Sequence, residues 1–130
     1  MLVIKIGGAA GIDSDAITAD VAAHAQAGNQ LVIVHGGSAL ATELGEQLGY
    51  PPRFVTSVSE HTSRYTDRRT LDIYLMATAL RNRQLVAELQ TLGVSAAGLS
   101  GLDGQMLLAQ RKATLRIVEN GKHKILRGDY

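Results

Sequence analysis

The chain has no cysteine and no tryptophan, one phenylalanine and two prolines among its 130 residues. Without cysteine, disulfides and thiolate metal sites are excluded, and a reducing compartment is the expected setting. The shortage of aromatics fits packed α/β layers better than an all-β sandwich. It also speaks against a single-strand nucleic-acid groove, where bases need rings to stack on. No apolar run approaches the roughly 20 residues of a bilayer crossing. MLVIKI has no basic stretch ahead of it and leads straight into glycine, unlike a secretory leader. A cytoplasmic protein with neither a membrane nor a nucleic-acid partner is expected.

What is present is glycine, 14 in all, placed at the ends of apolar runs. Leu2 to Ile6 is continuously apolar except for Lys5 and ends in Gly7-Gly8; Leu31 to His35 ends in Gly36-Gly37-Ser38. Such runs predict buried parallel strands. Asp13 or Ser14 can cap a helix through Ala16, Ile17, Val21 and Ala25, with Gly28 closing it. Ser38 can cap a second helix over Leu40 to Leu48, closed by Gly49 and stopped by Pro51-Pro52. Residues 53–66 have no clean period and predict a loop or irregular hairpin. Asp67 can cap a long helix with an apolar face at Leu71, Tyr74, Leu75, Thr78 and Leu85, in which Asn82 either interrupts or opens a second helix ending at Gly93. Further strands are expected at 94–99 and 106–109, separated by the turn 100–104. Leu115 to Val118 and His123 to Leu126 flank Asn120-Gly121, the signature of a tight type I′ hairpin. At this length the chain is one domain, of the α/β class: a mostly parallel sheet sandwiched by helices, with a β-hairpin near the C-terminus.

Three features carry chemistry. Gly7, Gly8, Gly36, Gly37 and Ser38 can offer backbone N–H groups to an anion, with a helix N-terminus behind them; alternatively they are plain strand-to-helix turns. Lys5, at the carboxyl end of a parallel strand, either faces a ligand crevice or snorkels to solvent. Arg64, in SRYTD, either clamps a carboxylate or is a solvated loop arginine. His35 reads as structural, His61 and His123 show no metal-ligand spacing, and Asp103 serves turn geometry. No metal site is expected. Charge is divided unevenly: residues 1–52 hold one cation against five carboxylates, and residues 53–130 hold twelve against seven. A basic second half steers an acidic partner or substrate.

KIGG, HGGS, SRYTD and GLSGLDG in this order resemble the N-terminal half of the amino-acid kinase family, whose fold is carbamate kinase-like. Within it, the chain is similar to N-acetylglutamate kinase and to the carrier-dependent aminoadipate kinases of lysine biosynthesis. The QRK stretch at 110–112, ENGK…RGDY and the long SVSEHTSRYTD segment point to the carrier-dependent branch. The resemblance implies phosphorylation of a side-chain carboxylate by ATP with Mg2+. In that role Lys5 stabilises the transition state, Gly7 and Gly8 cradle phosphate, and Gly36, Gly37, Ser38 and Arg64 bind the acceptor. The implied acceptor is α-aminoadipate, or glutamate, on a small acidic amino-group carrier protein drawn to Arg53, Arg68, Arg69, Lys122, Lys124 and Arg127. A homodimer through helices 39–48 and 68–92 is implied as well. Ser38 departs from the third glycine usual in acetylglutamate kinases. Family members are about twice this length, so residues 1–130 are expected to be an acceptor-binding domain without the ATP-binding domain, inactive alone. Acetylglutamate phosphorylation in arginine biosynthesis and a non-catalytic acceptor- or carrier-binding module are the alternative readings.

Overall fold

The structure is a computed structural model in which residues 1–110 and 113–127 are described. Arg111 and Lys112 of the QRK stretch and Gly128 to Tyr130 of RGDY lie outside the described residues.

Strands β1 (Leu2–Ile6) and β2 (Leu31–His35) pair in parallel, Leu2 opposite Leu31 and Ile6 opposite His35. Helix α1 (Ser14–Gln26) connects them. Asp13 is its cap, accepting from the Ala16 N–H at 3.0 Å, and Gly28 follows it at φ +85°. Helix α2 (Ser38–Gln47) follows β2. Ser38 is not its cap but its first residue; Gly37 takes the cap position and bonds no N–H through a side chain. The acceptor comes from the other glycine turn: the Ala39 N–H donates to the Gly8 carbonyl at 2.7 Å.

Segment 53–66 is a hairpin of β3 (Phe54–Ser57) and β4 (Thr62–Arg64). Helix α3 (Arg68–Thr91) runs unbroken through Asn82. Asp67 caps it at 2.8 Å from the Thr70 N–H, and Gly93 follows at φ +78°. β5 (Thr114–Glu119) and β6 (Lys122–Arg127) form the expected hairpin, with Asn120 and Gly121 both at positive φ (51° and 72°) as a type I′ turn requires. These four strands make an antiparallel sheet ordered β4-β3-β5-β6 beside the two-stranded parallel one. The parallel pair, its helices and the C-terminal hairpin are present as expected, and the antiparallel sheet holds more strands than the sequence indicated.

Two expected strands are absent. Residues 94–99 and 106–109 join no ladder among the described residues. The Val94 N–H closes the end of α3 on the Leu89 carbonyl instead, and the Leu107 N–H turns back to the Gly101 carbonyl at 3.0 Å. Gly104 and Gln105, just before the second of these segments, adopt positive φ (61° and 56°) and keep the chain in a turn there.

Burial also departs from expectation. β1 and β2 are not buried on both faces: Ile6 is 4 % exposed, but Val3 is 65 % and Val34 51 % exposed. Register puts Val3 beside Val32 and Lys5 beside Val34 on that open face. On α3 the buried stripe is Thr70, Ile73, Ala77, Leu85 and Leu89 rather than Leu71, Leu75 and Thr78. Ala77 is fully buried. Leu71, Leu75, Met76 and Leu80 stay exposed on the opposite half of the helix. α3 packs against both α1 and α2. Ser14 joins α1 to α3, donating to Glu88 at 2.9 Å and accepting from Arg81 at 2.7 Å.

Tyr50 donates to Asp67 at 2.6 Å, bracing the cap of α3. This bond, then the Thr70 N–H, holds the Asp67 carboxyl below its usual range, and the same bond holds the Tyr50 phenol above its own. Bonds from Lys124 to Glu119 and from the Ser100 N–H to Asp103 depress those two carboxyls likewise. A depressed carboxylate stabilises the fold above the unfolded value, about 4, and that stability is lost as pH falls through the folded one. A raised phenol stabilises below about 10 and loses its contribution as pH rises through the folded value. Tyr50→Phe is therefore expected to lower the melting temperature at neutral pH, with the gap to wild type closing as pH falls below about 4 and Asp67 protonates. Melting curves from pH 2 to 9 test this; a constant gap would contradict it.

Candidate anion and acceptor site

The two glycine turns form one interlocked unit. Register ends both parallel strands at the same level, Ile6 opposite His35, so both turns leave the sheet side by side. The Gly36 N–H donates to the Ile6 carbonyl at 3.1 Å. A Cβ on Gly8 would stand 2.6 Å from the Gly37 nitrogen and 2.8 Å from that of Ser38, and one on Gly36 would stand 2.8 Å from the Gly8 nitrogen. Only backbone without side chains fits at that approach. Gly37 is in turn pressed against Thr78 of α3, where a Cβ would meet the methyl group at 3.0 Å. Among the described residues no acceptor takes the N–H groups of Gly37 and Ser38. They stand at the N-terminus of α2, where the helix dipole favours negative charge.

Arg64 reaches this helix end from β4. Its Nη2 donates to the Thr42 hydroxyl at 2.9 Å and the Ser38 carbonyl at 3.0 Å, with the Ser38 hydroxyl at 3.4 Å. Phe54, its cross-strand partner, lies under the guanidinium at 5.1 Å from ring centroid to Cζ. Phe54 is itself 53 % exposed, so its ring serves as a floor rather than as core. An open depression of about 520 Å³ is lined here by Ser38, Phe54, His61, Thr62, Arg64 and Tyr74. A fixed cation beside unpartnered N–H groups at a helix N-terminus concentrates positive potential, and no carboxylate among the described residues pairs with Arg64. Such a site suits a carboxylate or phosphoryl group.

The structure thus brings Gly7, Gly8, Gly36, Gly37, Ser38 and Arg64 together. Lys5 lies two residues before Gly7, on the open sheet face with Val34, and makes no hydrogen bond or ion pair to them among the described residues. His35 is structural, as expected: its Nδ1 lies 3.1 Å from the Gly36 carbonyl and its Nε2 3.4 Å from Asn82 Nδ2. Asn82, which the sequence marked only as an interruption, also donates to the Leu99 carbonyl at 3.2 Å. A Cβ at Gly98 would fall onto Asn82 Oδ1, so the first glycine of GLSGLDG exists for this contact. Asn82 thereby ties the second glycine turn to segment 98–104. Asp103 makes the turn, its carboxylate accepting from the Ser100 N–H at 2.6 Å. Thr42 and Phe54 were not singled out by sequence; the signal available was Thr42 four residues after Ser38, on the same helix face.

Of the cations expected to meet an acidic partner, several are already engaged. Arg53 and Lys124 both pair with Glu119, Arg68 pairs with Asp72 at 3.3 Å, and Arg69 lies over Tyr50 at 4.5 Å. Strand alternation puts Arg53, Glu119 and Lys124 on one face of the antiparallel sheet. The other face carries Arg64, Arg116, His123 and Arg127 with Phe54 and Ile125.

The family model of the amino acid kinase family matches residues 1–129. The chain belongs to the amino acid kinase family. It is 53 % identical over its whole length to a [LysW]-aminoadipate kinase of Deinococcus radiodurans and 48 % identical to one of Thermus thermophilus, covering 45 % and 49 % of those proteins. It is 39 % identical to a [LysW]-aminoadipate/[LysW]-glutamate kinase of Saccharolobus islandicus, covering 49 % of it. The chain therefore spans about half the length of the curated relatives it matches. No helix among the described residues is long and apolar enough to cross a membrane.

Proposed function

We propose that this amino acid kinase family chain is the acceptor-binding part of an ATP-dependent carboxylate kinase whose acceptor is α-aminoadipate, or glutamate, on a small acidic carrier protein. The observation that carries this reading is the convergence of Arg64 with the unpartnered N–H groups of Gly37 and Ser38 at the start of α2. Similarity over the whole chain to kinases named for [LysW]-aminoadipate supports it.

In the reaction, a carboxylate oxygen of the acceptor attacks the γ-phosphorus of ATP. The bond from that phosphorus to the bridging oxygen breaks, its electron pair leaves with ADP, and an acyl phosphate forms. Arg64 holds an anionic group of the acceptor away from the reacting carboxylate. The interlocked glycine backbone holds the start of α2 in place, so that the N–H groups of Gly37 and Ser38 can donate to phosphoryl oxygens. Lys5, at the carboxyl end of β1, supplies an ammonium where negative charge spreads over the transferring group. Mg2+ fits a site of this kind through nucleotide phosphates with one or two carboxylates, because that ion seldom needs a cage of protein ligands. Among the described residues no cluster of three acidic or histidine ligands forms such a cage.

The carrier meets the sheet face that holds Arg64, Arg116, His123 and Arg127, continuous with the depression, rather than the face where Glu119 neutralises Arg53 and Lys124. Two copies of the chain associate through the exposed side of α3, with Leu71 and Leu75 on one flank and Met76 and Leu80 on the other. Titrating carrier-linked α-aminoadipate into the protein at low and high ionic strength tests the reading. Binding is expected to weaken steeply with salt, and Arg64→Ala to weaken it about tenfold or more. Equal affinity for free N-acetylglutamate and the carrier-linked acceptor, with no salt dependence, would overturn the carrier reading.

A further inference from the structure

We infer that Thr42 is a positioning residue for acceptor binding, anchoring Arg64 through Nη2 so that the guanidinium meets the ligand through a proton of Nη1 or of Nε. The inference rests on the proposed role of Arg64. Thr42 sits one turn after Ser38 on α2 and donates its hydroxyl proton to the Ser38 carbonyl at 3.1 Å. Its lone pairs are then left to accept, and Arg64 Nη2 takes one at 2.9 Å. Nη2 has two protons and faces three acceptors within 3.4 Å, two from Ser38 and one from Thr42. Both protons are therefore spent on α2. Nε and Nη1 carry three more, and none of these has a partner among the described residues.

Phe54 completes the hold from below, as the residue directly opposite Arg64 in the β3–β4 ladder. A free arginine loses much rotamer entropy on capturing a ligand. One held at a single nitrogen has already given that entropy up, so each later bond to an anion costs less. Thr42 does not line the depression that holds Arg64 and Phe54; it borders an adjoining one beside Ser38, Ala39 and Glu43, and its hydroxyl meets Arg64.

Thr42→Val removes the hydroxyl while keeping the branched shape, so the helix keeps its packing. Two readouts are made on the 130-residue chain. The first is titration with N-acetyl-α-aminoadipate, a soluble mimic of an acceptor acylated at its amino group. The second is nitrogen NMR of the Arg64 guanidinium, where an anchored Nη2 gives Nη signals distinct from each other and a free one averages them. Thr42→Val is expected to merge the signals and weaken binding about fivefold to tenfold, with the melting temperature unchanged, and Thr42→Ser to restore both. Unchanged or tighter binding in Thr42→Val, while Arg64→Ala weakens it, overturns the inference and leaves the proposed site standing. Unchanged binding in Arg64→Ala overturns the site and the inference with it.

Discussion

Gly8→Ala is expected to separate the two glycine turns and abolish anion binding, at a cost of about 3 kcal/mol or more in stability. The new Cβ would lie 2.6 Å from the Gly37 nitrogen, 2.8 Å from that of Ser38 and 2.9 Å from the Gly36 carbonyl carbon. All three neighbours are backbone atoms, so no rotamer change relieves the collision. Either β1 and β2 shift against each other or the start of α2 moves, and the Ala39 bond to the Gly8 carbonyl is lost in both cases. Gly28→Ala is the control: it lies at φ +85° with nothing within 4 Å of the added Cβ. That substitution should cost only the backbone strain of a left-handed alanine, about 1 kcal/mol, and leave binding intact. Urea melts and acceptor titrations of both variants separate collision from strain. Equal losses in the two would show that the close approach of the turns has no special importance.

Lys5→Ala is expected to lower kcat about 100-fold to 1000-fold with little change in acceptor KM, the pattern for a group whose interaction strengthens in the transition state. Turnover is read from the chain joined to the C-terminal part of its Deinococcus radiodurans relative. The substitution should fold normally, because Lys5 is exposed on the open sheet face and nothing described packs over it. An unchanged melting temperature beside the lost turnover would exclude unfolding as the cause. A rise in KM with kcat intact would instead make Lys5 a ground-state binding group.

Much of the architecture was legible because its signals are local. Asp67 caps α3 through an N–H three residues on, Gly28 and Gly93 end helices at positive φ, and Asn120-Gly121 closes a two-residue hairpin. The failures were equally physical. Residues 94–99 have strand composition, but a strand exists only where a neighbour offers a ladder, and the described chain offers none there. Apolar positions lie all round α3, and only packing against α1 and α2 selected the side with Ile73 and Ala77. Asn82 looked like a flaw in a helix because its partners, His35 and Leu99, lie far away along the chain.

By itself the sequence determined the three helices, the parallel strand pair and the C-terminal hairpin, the glycine turns at two strand ends, and the order of motifs that marks the family. Those properties depend on backbone sterics and on groups within about four residues of each other. The tertiary structure alone decided that the two turns interlock, that the Gly8 carbonyl accepts from the first turn of α2, and that Arg64 rests on Thr42 and Phe54. Each of these joins residues brought together by strand register, parallel for the two turns and antiparallel for Arg64 and Phe54, or by the packing of α2 against its neighbours, and no rule of nearest residues encodes such distances.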